Sequence, residues 1–73
     1  MRPEMTYDAE ADALYVRLSG NAPHEAYDAG GLIVHVDMHG RIVAVEALGA
    51  SRVLAPGDWR SAPAPSRESV AAE

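Results

Sequence analysis

Residues 32–48, LIVHVDMHGRIVAVEAL, constrain the fold more than any other segment of the chain. Two apolar runs rich in β-branched residues flank the turn-forming stretch DMHG, a pattern typical of paired β-strands. Asp37 can accept hydrogen bonds from turn N–H groups, and Gly40 can adopt the left-handed conformation that such a turn needs. The segment therefore predicts an antiparallel β-hairpin.

Placing Asp37 opposite Arg41 fixes the predicted pairing along this hairpin. Both faces are then largely apolar, whereas a sheet with one face in water alternates apolar with polar side chains. One face would cover the domain's own core, and the other would need a second copy or a different protein. The predicted pairs are Val36–Ile42, Val34–Ala44 and Leu32–Glu46 on one face, and His35–Val43 and Ile33–Val45 on the other.

Three further segments complete the predicted sheet. ALYVRL, residues 13–18, alternates like a strand, and MTY before it forms a hairpin with it. SGNAP, residues 19–23, breaks this strand, and HEAYD, residues 24–28, predicts a short edge strand that ends at Gly30–Gly31. The chain is therefore predicted to be mainly β, a small antiparallel β-meander of four to five strands.

The length and composition point to a domain that needs extra stabilisation. The chain has 73 residues, no Cys, no Phe and one Trp, so its core is small and carries no disulfide. Self-association is the simplest remaining source of stability. We expect a β domain over residues 1–52 and a Pro/Ala-rich tail over 53–73, largely disordered, with room for one short helix in SRESVAAE.

Several classes of function are disfavoured. The net charge of −5 argues against a nucleic-acid-binding surface, which concentrates Lys and Arg. No apolar run is long enough to cross a membrane, and the N-terminus lacks a signal peptide, so we expect a cytoplasmic protein. The sequence contains no phosphate-cradling glycine loop and no recognisable nucleophile–base set. We therefore predict no enzyme, no catalytic residue and no cofactor.

Three acids at alternate positions, Asp8, Glu10 and Asp12, resemble the first half of a calcium-binding loop. A complete loop of that kind also needs a central Gly and a bidentate Glu at its end, and the following residues do not supply them. We favour a turn in which Asp8 and Asp12 accept hydrogen bonds from backbone N–H groups. A cation site remains the alternative.

The string H-x-D-x-H at His35, Asp37 and His39 offers three ligand types that zinc accepts. On a strand His35 and Asp37 share a face, whereas His39 lies in the turn. A solvent-facing histidine followed by a turn is the simpler interpretation.

Glu46 is a lone carboxylate in the apolar run IVAVEAL. A buried carboxylate needs a partner, so we predict a structural pair with an arginine or with backbone of the neighbouring GAS segment. A catalytic acid is the alternative. The candidate partners are Arg17, Arg41 and Arg52.

Two linked motifs, YDAEADALYVRL and GLIVHVDMHGRIVAVEALGAS, resemble the YuzE-like family of short prokaryotic proteins, known as domain of unknown function 2283. Ala44 stands where that family usually has Gly, and Ala47 where it usually has a larger aliphatic residue. The resemblance implies a small β-rich fold and no established activity. Some relatives lie beside genes for small toxin-like proteins, which makes an antitoxin role an analogy. The residues that fit the family pattern are Tyr7, Asp8, Glu10, Asp12, Leu14, Tyr15, Asp37, Gly40, Val43, Glu46, Leu48, Ala50 and Ser51.

We therefore expect a non-enzymatic bacterial interaction module that forms a homodimer or higher homo-oligomer, with an antitoxin-like contact to a small protein partner as a further option. The alternative is a metal- or ligand-binding domain that uses Asp8, Glu10 and Asp12. Trp59 either packs back over the sheet or anchors a partner. The predicted structural residues are Tyr7, Asp8, Glu10, Asp12, Tyr15, Asp37, Gly40 and Glu46, and the predicted interface comprises Ile33, Val43, Val45 and Trp59.

Overall fold

A computed structural model describes residues 4–65 as one five-stranded antiparallel sheet followed by two short helical turns. The predicted mainly-β antiparallel fold is confirmed. The tail predicted to be largely disordered spans residues 53–73, but its described part, residues 53–65, includes a 3₁₀ helix and packs on the sheet. The short helix predicted for SRESVAAE falls on residues 66–73, outside the described residues. The elements are β1 (Glu4–Asp8), β2 (Ala13–Arg17), β3 (Glu25–Ala29), β4 (Leu32–Val36), β5 (Ile42–Leu48), α1 (Ala50–Val53) and a 3₁₀ helix (Asp58–Ser61).

The strands lie in the order β1-β2-β5-β4-β3. The chain forms the β1–β2 hairpin, moves to the far edge of the sheet, and returns through the meander β3–β4–β5. The last strand therefore lies at the centre, between β2 and β4, and the short strand predicted around HEAYD is an edge strand. None of the helices within residues 4–65 is long and apolar enough to cross a membrane.

The β4–β5 pairing corrects the predicted register. Val36 pairs with Ile42 as predicted. The next residue of β5, Val43, forms a β-bulge and has no directly opposite residue on β4, so His35 lies opposite Ala44. Every later pair is thereby shifted by one residue, and such a shift moves side chains to the other face. Consequently the prediction of two apolar faces is wrong.

The pairing sorts the side chains into an apolar face and a polar face, because directly opposite residues of antiparallel strands share a face. The apolar face carries two rows that cross all five strands. The covered row is Tyr7, Leu14, Ala47, Leu32 and Ala29, and the open row is Met5, Val16, Val45, Val34 and Tyr27. The polar face includes Glu4, Arg17, Ala44, His35 and Ala26, and beside them Thr6, Tyr15, Glu46, Ile33 and Asp28.

The segment after β5 packs on the covered row. Leu14, Ala47 and Ala50 form a buried cluster, against which Leu54 and Trp59 pack from the C-terminal side. Thus the described part of the predicted tail supplies a second layer over half of the apolar face. The buried apolar residues of the described chain are Leu14, Val36, Val43, Ala44, Ala47 and Ala50. The core remains small, since half of these residues are alanines.

Trp59 packs back over the sheet, the first of its two predicted roles. Its ring meets the Tyr7 ring edge-on, with 5.1 Å between centroids and an interplanar angle of 80°. Its indole N–H donates to the carbonyl of Ala55 at 2.7 Å. The tryptophan is therefore held on both its apolar and its polar side.

Gly40 should be intolerant of substitution for a backbone reason alone. Its φ is +78° and no atom lies within 4 Å of a Cβ built on it, so Gly40→Ala costs about 1–2 kcal/mol, the left-handed penalty of an L-residue. Gly20→Ala is the matched control, because Gly20 has equal space without the positive φ. Urea unfolding of both variants checks this, and equal midpoints would contradict it.

Candidate functional site

Asp12 joins the β1–β2 turn to the start of α1. Its carboxylate accepts hydrogen bonds from the hydroxyls of Ser51 at 2.5 Å and Tyr7 at 2.6 Å, and from the Ser51 N–H at 3.1 Å. Its own carbonyl accepts the N–H of Ala50 at 2.8 Å. Asp12 has a φ of +53°, a conformation that Asp tolerates better than most residues. The residue is a clamp between two segments 39 positions apart.

The clamp perturbs both ionisable groups. The Ser51 hydroxyl, and after it the Tyr7 hydroxyl, hold the pKa of Asp12 below its ordinary value, because these bonds favour the charged carboxylate. The same bond to Asp12 raises the pKa of the Tyr7 phenol, since the phenolate would face a negative charge.

The other two acids of this motif have separate roles. Asp8 accepts hydrogen bonds from the N–H groups of Glu10 at 3.1 Å and Ala11 at 3.2 Å, the turn role that the sequence predicted. Asp12 instead reaches the Ser51 N–H, and the Glu10 side chain is exposed. Within residues 4–65 no group of three or more His, Asp or Glu side chains could hold a metal ion.

Asp37 organises the β4–β5 turn as predicted. Its carboxylate accepts the N–H groups of His39 at 2.9 Å and Arg41 at 3.0 Å, and the side-chain amide of Asn21 at 3.2 Å. The Arg41 N–H, with Asn21 and His39, lowers the pKa of this carboxyl. Asp37 is buried, so it contacts the connection between β2 and β3 from inside the fold.

The polar face places His35 beside Glu46, with 2.8 Å between Nε2 and Oε1. Tyr15 lies opposite Glu46, and its ring centroid is 6.3 Å from that of His35. The predicted structural pairing of Glu46 is observed, but its partner is His35 and not an arginine. The cause is the bulge at Val43, which brings both side chains to one face.

The open row remains partly exposed to solvent. Met5 is 40% and Tyr27 52% exposed, and the three valines between them are half-buried. Of the residues predicted as an interface, Val45 lies in this row. The other three lie elsewhere: Val43 is buried, Ile33 is on the polar face, and Trp59 packs on Tyr7.

A family model described as "Protein of unknown function (DUF2283)" matches residues 4–51. The chain belongs to this family. The DUF2283 match begins at the first residue of β1 and ends at Ser51, so it contains the whole sheet and both ends of the Asp12 clamp. It stops before the covering residues Leu54 and Trp59. No curated protein and no solved structure matches the chain.

Sequence reasoning missed the long-range partners in this DUF2283 chain. Nothing local in the sequence links Ser51 to Asp12 or Asn21 to Asp37, because these pairs are 39 and 16 positions apart. All five residues of the open row stand at strand positions that the sequence identified. The row was missed because neither the β4–β5 register beyond Val36 nor the pairing of β2 with β5 was predicted.

The Asp12 clamp should make stability depend on acid pH. A carboxyl whose folded pKa lies below its unfolded value of 3.8 stabilises the fold fully above that value, and the contribution is lost as the pH falls through the folded pKa. Asp12→Asn should therefore melt below the parent at neutral pH, with a gap that shrinks as the pH falls below 3.8 and through the folded pKa. Melting temperatures across this range check it.

Glu10→Gln is the control for this series, since the Glu10 side chain is exposed and should leave the melting temperature unchanged. Asp37 is present in the parent and in both variants, so the difference in melting temperature between parent and Asp12→Asn reports Asp12 alone. A gap that stayed constant down to the lowest pH would refute a charged clamp.

The His35–Glu46 pair should contribute little to stability despite its short distance. The two side chains are 24% and 29% exposed, and pairs open to solvent are typically worth about 0.2–1 kcal/mol. A double-mutant cycle with His35→Gln and Glu46→Gln should give a coupling energy in that range. A coupling well above it would show a desolvated pair.

Proposed function

We propose that this DUF2283 protein is a non-enzymatic interaction module whose partner is a second copy of the chain. The contact surface is the open row. The observation that carries this proposal is the row itself, in which five directly paired strands present no polar side chain except the tip of a tyrosine. Apolar rows that remain uncovered on a small domain mark interaction surfaces.

The size of the row fits a second layer of structure. Four steps between neighbouring strands, each of about 4.8 Å, give a length of about 19 Å. A sheet with one apolar face is stable when another layer buries that face. Residues 50–63 pack mainly on the covered row, and Met5 and Tyr27 at the ends of the open row stay 40% and 52% exposed. Residues 66–73 have the composition SRESVAAE, with one large apolar residue, and suit the open row poorly.

The distribution of charge favours a second copy as the partner. Two chains of net charge −5 repel each other, and the repulsion is weakest when the surfaces that meet carry few acids. Four of the five strand acids lie on the polar face: Glu4, Asp8, Asp28 and Glu46. The fifth, Glu25, lies on the apolar face at one end of the open row, where it accepts the Tyr27 hydroxyl at 3.1 Å. The open row can thus meet the same row of a second copy across a two-fold axis, with the two sheets about 10 Å apart.

The test is the mass in solution at micromolar concentration. We expect the parent to contain at least two 7.7 kDa chains, and Val45→Asp, at the centre of the row, to halve its mass because the row would bury an unpaired charge. Leu48→Asp is the matched control: it lies on the same strand and the opposite face, 50% exposed, and should keep the parent's mass.

Met5→Asp is a second test of the open row, needed in case Val45→Asp unfolds the chain. Met5 ends the row and is 40% exposed, so its substitution should weaken assembly while the circular dichroism spectrum stays folded. A monomeric parent, or a folded Val45→Asp variant of parental mass, would overturn the proposal. A monomeric parent would favour a partner of different sequence.

A further inference from the structure

The two edge strands of the sheet, β1 and β3, differ in what lies beside them. At β1 the N–H of Tyr7 points away from β2 and donates to the carbonyl of Pro63 at 2.9 Å, and the 3₁₀ helix packs beside this strand. No described residue pairs with the outer edge of β3, and all five of its residues are exposed. Within residues 4–65 the β1 edge is therefore partly closed and the β3 edge is open.

Strand β3 has the properties of a pairing template. It pairs with β4 over all five residues, Glu25–Ala29, without a bulge. Its sequence, EAYDA, contains no proline and no lysine, two of the residues that block edge-to-edge pairing in other proteins. Its two acids, Glu25 and Asp28, are the remaining obstacle, and they restrict the register in which a second strand can add.

We propose that β3 pairs with β3 of a second copy, antiparallel and centred on Tyr27. A two-fold axis perpendicular to the sheet places Tyr27 opposite its counterpart, Glu25 opposite Ala29, and Ala26 opposite Asp28. Each acid then faces an alanine, and all five residues of both strands are paired.

The alternative symmetric registers are worse. Centring the pair on Asp28 or on Glu25 sets two carboxylates directly opposite each other, which destabilises a strand pair. Centring it on Ala26 avoids that clash but leaves Asp28 and Ala29 without a strand partner, and centring it on Ala29 leaves only Ala29 paired within the two strands. Charge and overlap together select Tyr27 as the centre.

This contact goes beyond the open-row contact and does not depend on it. It joins two five-stranded sheets into one of ten strands with their apolar faces on the same side. The two open rows then meet at the paired tyrosines and form one continuous row. The edge contact uses backbone hydrogen bonds, whereas the open-row contact uses side-chain packing.

The register is tested by disulfide trapping of full-length Tyr27→Cys under mild oxidation. The chain has no native cysteine, so a covalent dimer reports this position alone. Directly opposite residues have Cα atoms about 4.5–5.5 Å apart, within disulfide range. We expect a covalent dimer. Residues on two stacked sheets, with backbones about 10 Å apart, cannot form it.

Asp28→Cys is the matched control. Its counterpart would lie diagonally across the pair, at about 7–8 Å, too far for a disulfide, so we expect no covalent dimer. Equal trapping of both variants would indicate random collision and overturn the register. Absence of trapping at Tyr27→Cys would overturn the edge contact itself.

A charge exchange then tests the predicted neighbours. In the Tyr27→Cys background, Ala29→Glu sets two carboxylates opposite each other and should abolish trapping, and adding Glu25→Lys should restore it. The two positions are four residues apart on one extended strand, about 13 Å, so rescue requires two chains. Failure of rescue would overturn the pairing. The two proposals can fail separately. If Tyr27→Cys is trapped as a covalent dimer but Val45→Asp leaves the mass of the otherwise unchanged chain at the parent's value, only the open-row contact is refuted.

Discussion

The bulge at Val43 is the constraint on which the two faces of this sheet depend. Because β5 passes over one residue after Ile42, Val45 and Ala47 join the apolar side chains of β2 and β4, while Glu46 turns to the polar side. Without the bulge, Glu46 would lie opposite Leu32 and interrupt the apolar face. One inserted residue therefore keeps Glu46 out of the two apolar rows and pairs it with His35 on the polar face.

The apolar face also needs a second layer of structure to cover it, and this chain has few large side chains to supply one. Asp12 holds Ala50 and Ser51 at one end of the covering segment. Tyr7 holds the other end through its contacts with Trp59 and Pro63. The hydrogen bond between the Tyr7 and Asp12 side chains connects the two attachments, so a few polar groups position Trp59 against Tyr7 and over the covered row.

The parts of the fold that depend on local chemistry were predictable from the sequence. The strands follow from alternation and β-branched residues, and the Asp37–Gly40 turn follows from side-chain acceptors and a left-handed glycine. The β4–β5 register beyond Val36 was not predictable from the sequence, because the position of a bulge depends on how both strands pack on their neighbours. The wrong register led to an arginine partner for Glu46. The right pairing depends on β2, β4 and β5 together.

Charge links the two proposed contacts to the specificity of assembly. Each chain carries a net charge of −5, so a random encounter of two copies brings acids together and is unfavourable. The open row reduces this cost because its only neighbouring strand acid is Glu25, at the Tyr27 end, and the β3 edge reduces it in the register that sets Glu25 and Asp28 opposite alanines. The acids thus disfavour most alternative contacts, and Glu25 and Asp28 also restrict the register at the β3 edge. The same acidic side chains limit the proposed association to a few geometries.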